Sequence, residues 1–244
     1  MAEYGFLIPV YNHGVACLET VRLLLPYGIP IIIVDDGSNA ETKQALRAAA
    51  ALSPLVRLVA KERNGGKGSA VSAGFLAART MGLGHVLQLD ADRQHDISAV
   101  PRFLELSHAH PSSLILGYPI YDASVPESRK KGREVSNVFA RIVTCNTHIR
   151  DVLCGFRVYP VGPACQVVSH GIWDMRMGFD VEVVVRLCWK RVPVINEGVK
   201  VTYPADGSSH FHMVRDNIRI SLVFTRLCFG AFIRLPWLVA RRER

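Results

Sequence analysis

The chain is short of several features that would each define a class of protein. Its six cysteines, Cys17, Cys145, Cys154, Cys165, Cys188 and Cys228, are scattered and include no C-x-x-C pair. A disulfide framework and a zinc ribbon both need paired spacing, so neither is expected and a reducing, cytosolic compartment follows. No run of about 20 uninterrupted apolar residues offers a transmembrane helix. The opening MAEYGFLIPVYNHG has no basic stretch and no long apolar core, so it reads as a first strand and not as a signal peptide. Acidic tracts, low-complexity segments, Ser/Gly-rich linkers and repeats are all missing, which excludes a disordered or modular chain.

What remains is 244 residues, 49% apolar and 20% charged, enough for one sizeable domain. The formal charge of +8 suits an anionic partner: nucleotide phosphates, nucleic acid or an acidic membrane surface. Strand-like and helical patterns alternate through the first half. YGFLIPV, PIIIVDD, VRLVAK, HVLQLD and SLILGYPI read as strands, with helices at Gly14 to Pro26, Glu41 to Leu52, after NGGKGS, and from Ser98 to His108. Alternation at this spacing predicts an α/β fold with a mainly parallel sheet flanked by helices. Later segments read as a helix from Glu134 to Cys145, a helical FDVEVVVRLCWKR and a strand-like VPVINEGVKVTY. The expected division is a catalytic domain over residues 1–212 and a C-terminal helical segment over 213–244.

Ligands of parallel sheets gather at the carboxyl ends of the strands. A polar cluster follows each of the first four strands: Tyr11-Asn12-His13, Asp35-Asp36, Asn64 to Lys67, and Asp90 to Asp96. In LQLDADRQHD, Asp90 and Asp92 flank Ala91, and like charges this close need compensation. A hard divalent cation, Mg²⁺ or Mn²⁺, would remove the repulsion, with the Gln94 amide as a third oxygen. Asp96 is expected to cap the next helix. The glycines of NGGKGS let backbone amides approach an anion, and Lys67 pairs with a phosphate. Asp36 is placed to accept hydrogen bonds from a base or ribose, while Ser38 or Asn39 caps the following helix.

Taken together, PVYNH, VDDGS, NGGKGSA, LDADRQH and CGFR resemble the family 2 glycosyltransferases of the GT-A fold. The likeness covers roughly residues 4 to 205 and is greatest to the polyprenyl-phosphate sugar transferases, the dolichyl-phosphate mannose synthase-like group. It implies inverting transfer from a nucleoside diphosphate sugar to a lipid-linked or other small acceptor. Pro9, Tyr11, Asn12 and Asp36 would hold the nucleoside, and Lys67 would frame it. Asp90, Ala91, Asp92 and Gln94 would form the metal-diphosphate site. Arg133, with Ser136 beside it, would hold the acceptor phosphate. Tyr118-Pro119 stands where that branch usually carries a serine and an arginine, so one phosphate clamp is expected to be missing. Should the acceptor be a hydroxyl, Asp151 is the candidate base. Arg157 with Asp180 and Glu182 would order the pocket or form a buried salt bridge. His210 or His212 would contact the diphosphate or the metal.

The segment 217–240 is apolar with arginines at wide intervals, which suits a helix lying at the headgroup level of an acidic inner leaflet, or one packed on the domain. Two rivals stand beside the transferase. A sugar-nucleotide pyrophosphorylase would need a Gly/Arg-rich loop after the first strand. A basic anion-binding module would leave the Asp90/Asp92 pair unexplained, and nucleic acid is not an expected partner because those carboxylates would repel it.

Overall fold

The computed structural model describes residues 3–121, 127–176, 178–202 and 213–239. Its centre is a seven-stranded sheet of order β3-β2-β1-β4-β6-β5-β7. The strands are β1 (Tyr4–Val10), β2 (Ile31–Asp35), β3 (Val56–Ala60), β4 (His85–Gln88), β5 (Leu114–Tyr121), β6 (Arg157–Pro160) and β7 (Val194–Val201). β1 to β4 run parallel to one another, and so does β7 to β5. β6 runs antiparallel to both β4 and β5. It breaks the parallel series and fills the place between the two, which the chain skips on its way from β4 to β5.

Alternation along the strands builds two cores. Phe6, Ile8 and Val10 of β1 and Ile31 and Ile33 of β2 face one layer. Leu7, Ile32 and Val34 face the other. A strand sends successive side chains to opposite faces, and here both faces are covered, which is why Ile31 to Val34 form an unbroken apolar run.

The helices are α1 (Gly14–Leu24), α2 (Ala40–Ala50), α3 (Lys67–Thr80), α4 (Val100–Ala109), α5 (Glu127–Thr144), α6 (Val161–Ser169), α7 (Phe179–Trp189) and α8 (Met213–Val239). α2 begins at Asn39, whose side chain accepts from the Thr42 amide, as an N-cap should. α3 lies close to the sheet because Gly74 has no side chain: a Cβ there would stand 2.1 Å from Leu7. α7 buries nearly every side chain it carries. α6 was not expected from the sequence, since VGPACQVVS opens on residues that read as strand and turn.

α8 contributes Val223, Leu227, Ala231 and Leu238 to the core shared with α5 and α7. Its opposite face leaves Phe229, Phe232, Ile233 and Trp237 about 70% exposed. By length and mean hydropathy, 1.3, Arg219–Leu238 reaches the range of a spanning helix, with 22% of that window buried. The sequence reading missed this because Arg226 and Arg234 interrupt the apolar run. Both guanidiniums turn back to the domain, Arg226 5.7 Å from the Trp173 ring and Arg234 4.6 Å from the Trp189 ring.

Candidate active site

The chain leaves β1 for β2 and β3 on one side and returns to β4 on the other, so the tips of these strands form one edge, with the switch between β1 and β4. Pro9 is half-buried near the tip of β1, beyond the last β4 pairing at Leu7, and Tyr11 is exposed just after it. Asn12 adopts φ +58 and ties the tips together, its amide donating to Ser38 Oγ and its side chain accepting from the Asn39 amide.

Asp36 does not face an open pocket. Its carboxylate accepts from the amides of Gly65 and Gly66 at 3.0 and 2.8 Å and pairs with Lys61. The anion that the glycine loop receives is therefore the protein's own. This corrects the expectation that those amides wait for phosphate. Gly66 sits at φ +94, and a Cβ there would be 2.5 Å from the Met175 carbonyl, so the loop fits only without a side chain.

After β4, Ala91 turns inward to the core while Asp90 and Asp92 flank it. Asp92 Oδ1 accepts from the Gln94 amide at 3.1 Å, and Arg93 takes φ +61 in the same turn. Asp96 accepts from the Ser98 amide, the expected cap. Lys67 Nζ lies 3.0 Å from Asp90 and 3.0 Å from Asp180. Burial opposes the charge on Lys67, but Asp180 and Asp90 outweigh it and hold the ammonium protonated. For Asp90, burial is likewise outweighed, by Lys67 first, and its carboxyl is held below the usual range. Asp92 has no such ion pair among the described residues: burial and the neighbouring Asp90 charge push its carboxyl up. Only one of the two carboxylates is matched by a lysine, and together they offer oxygen donors of the type a hard divalent cation takes. Gly155 makes room for this arrangement, since a Cβ there would lie 2.2 Å from Asp90 Oδ2. Among the described residues, no three His, Cys, Asp or Glu side chains gather to hold a metal by themselves.

The segment from Asp151 to Arg157 links this pair to a second feature. Cys154 Sγ is 3.6 Å from His95 Nε2, and the Cys154 amide donates to Asp151 Oδ1 at 2.6 Å. Arg133 holds Asp151 with two N–H bonds of 2.7 and 2.9 Å, and the Leu153 amide adds a further bond. Burial opposes the Arg133 charge and is outweighed by Asp151, so the guanidinium stays charged. Arg133 and Asp151 line a cavity of about 430 Å³ that also meets Lys130, Arg141, Arg150 and Tyr118. Ser136 is buried on α5, away from the cavity lining.

Arg157 is fully buried and stands 3.7 Å from Asp180, the buried pairing expected as one alternative, and it presents no surface for a donor contact. Its guanidinium donates to the carbonyls of Val152, Cys154 and Asp180 and to the Tyr159 hydroxyl. It braces the very segment that carries Asp151 and Gly155. Glu182 is also structural, accepting from the amides of Trp173 and Asp174 and pairing with Arg186. His210 and His212 lie outside the described residues. Sequence reasoning missed Lys61, Gly155 and the link from Lys67 to Asp180. The glycine of CGFR was the one available signal, as a mark of close approach.

The fold is similar to that of glucosyl-3-phosphoglycerate synthase from Mycobacterium tuberculosis, crystallised with Mn²⁺, uridine diphosphate and glucosyl-3-phosphoglycerate. The TM-score is 0.63 at 13% identity, covering 93% of this chain and 80% of that one. The protein is a glycosyltransferase of the GT-A architecture. A family model described as Glycosyl transferase family 2 matches residues 6–165, and the chain belongs to that family. It is 26% identical over 242 residues to a dolichyl-phosphate beta-glucosyltransferase of Dictyostelium discoideum, covering 88% of this chain and 72% of that protein. It is also 26% identical over 190 residues to an undecaprenyl-phosphate mannosyltransferase of Micrococcus luteus, covering 74% and 75%. The likeness within the family is thus to polyprenyl-phosphate sugar transferases, as the resemblance implied. Family membership sets aside the pyrophosphorylase and the non-enzymatic module.

Proposed function

We propose that this protein transfers a sugar, with inversion, from a nucleoside diphosphate sugar to the phosphate of a membrane lipid. The observation that carries the acceptor is the state of Asp151. Its Oδ1 accepts from Arg133 and from two backbone amides, Oδ2 accepts from Arg133 again, and the side chain is only 4% exposed. The carboxylate is thus committed to its own neighbours and poorly placed to serve as a base for an incoming hydroxyl. A phosphate acceptor needs no base, because its own oxygen is the nucleophile. The cavity around Asp151 is rich in cations, which suits that phosphate.

On the donor side, Tyr11 and Pro9 offer a face to the nucleoside, and Asn12 and Asp36 shape the wall behind it. Asp90 and Asp92, with the Gln94 amide, would hold Mg²⁺ or Mn²⁺. A divalent ion, when bound, supplies Lewis-acid stabilisation to the departing diphosphate. Lys67 keeps Asp90 ionised and oriented. Arg133 draws the acceptor phosphate against the cavity wall. The acceptor oxygen then bonds to the anomeric carbon as the bond from that carbon to the diphosphate breaks, its electron pair leaving with the nucleoside diphosphate.

The exposed apolar stripe of α8 and the net charge of +8 support attachment to an acidic, cytoplasmic leaflet, where a lipid acceptor is presented. The deciding experiment is a screen of nucleotide sugars with Mn²⁺ or Mg²⁺ on wild type and Asp92→Ala. Turnover is expected to need the ion and to fall about 100-fold or more in the variant, with the circular dichroism spectrum unchanged. Equal turnover in Asp92→Ala, or in excess EDTA, would refute the metal assignment.

A further inference from the structure

We propose that Arg150, held against the ring of Tyr118, is a ligand for the acceptor phosphate, an inference that rests on the phosphate-acceptor reading above. Four basic residues line the cavity. Arg133 gives two of its five N–H groups to Asp151, and Arg141 is paired with Glu134. Arg150 is exposed and meets no carboxylate among the described residues. Its donors face the cavity unspent.

Its position is nevertheless defined. The guanidinium carbon stands 4.8 Å from the centre of the Tyr118 ring, a cation–π distance. Tyr118 pairs with Gly198 of β7, where a Cβ would stand 3.3 Å from the Tyr118 hydroxyl oxygen. The Arg150 amide donates to Asn196 Oδ1 at 3.0 Å, and Asn196 Nδ2 donates to the His148 carbonyl at 2.7 Å, which anchors the backbone to β7. A guanidinium with a set plane and free donors is suited to bidentate recognition of a phosphate. Arg150 is also the chain neighbour of Asp151, which orients Arg133, so the two guanidiniums line one cavity from adjoining supports. The tyrosine that occupies the site of the expected clamp thus supports an arginine from elsewhere in the chain.

The test measures transfer to farnesyl phosphate and to farnesol, using a nucleotide sugar that the wild type consumes. Arg150→Gln is expected to raise KM for farnesyl phosphate about tenfold to a hundredfold, leaving the donor KM unmoved. Tyr118 is a positioning residue: Tyr118→Leu should raise the same KM in part, and Tyr118→Phe, which keeps the ring, should restore it. An unchanged acceptor KM in Arg150→Gln overturns the proposal while leaving the phosphate-acceptor reading standing. Wild-type transfer to farnesol alone, or to neither compound, overturns that reading and Arg150's role with it.

Discussion

Asp90 and Asp92 repel each other, and the protein offers Lys67 to only one of them. At the scale of single residues this imbalance is the main chemical fact of the molecule. Gly155 is what allows it, since any side chain there would displace the Asp90 carboxylate. The displaced atoms are the far end of a side chain, so the fold can yield at little cost. Gly155→Ala should therefore separate catalysis from stability. We expect turnover to fall about 100-fold, with the melting midpoint within about 4 °C of wild type, as steady-state rates and thermal melts would show. A large loss of stability with normal turnover of the remaining folded enzyme would contradict the assigned contact.

At the scale of elements, α8 is two-faced. Its inner stripe of Val223, Leu227, Ala231 and Leu238 packs on the domain, and Gly230 lets it approach Trp189, where a Cβ would come within 2.6 Å of the ring. The outer stripe of Phe229, Phe232, Ile233 and Trp237 remains open. A helix anchored along one side and apolar along the other is suited to lie in a membrane surface. The double variant Phe232→Glu/Ile233→Glu leaves the packed stripe intact. In flotation with vesicles containing acidic phospholipid, it should bind at least about tenfold more weakly than wild type. Equal flotation of the two proteins would argue against a lipid-facing role for this stripe.

At the scale of the whole molecule, the two cores lie on opposite faces of one sheet and share its strands. Cys17 and Cys154 belong to one core, Cys165 and Cys188 to the other. Burial pushes the thiols of Cys17 and Cys154 up to about 12, the latter aided by Asp151. At pH 8 a native sample should therefore react with a thiol reagent at Cys228 and partly exposed Cys145, while these four stay protected. If the sheet unites the molecule, all four should become reactive together as denaturant is raised. Mass spectrometry of labelled peptides would follow this, and exposure of the two pairs at clearly different denaturant concentrations would indicate two independent units.

Much of this was legible in the residues themselves. The strands before β6, the cap at Asp96, and the gathering of polar clusters on one edge follow from local rules of periodicity, capping and topology. Those rules depend only on a residue and its near neighbours, and the chain supplies both. The antiparallel β6, the capture of the Gly65–Gly66 amides by Asp36, the burial of Arg157 and the pairing of Arg133 with Asp151 were decided only by the tertiary structure. Each joins groups brought together by packing, and a charged residue's partner is set by distance in space, on which sequence order is silent.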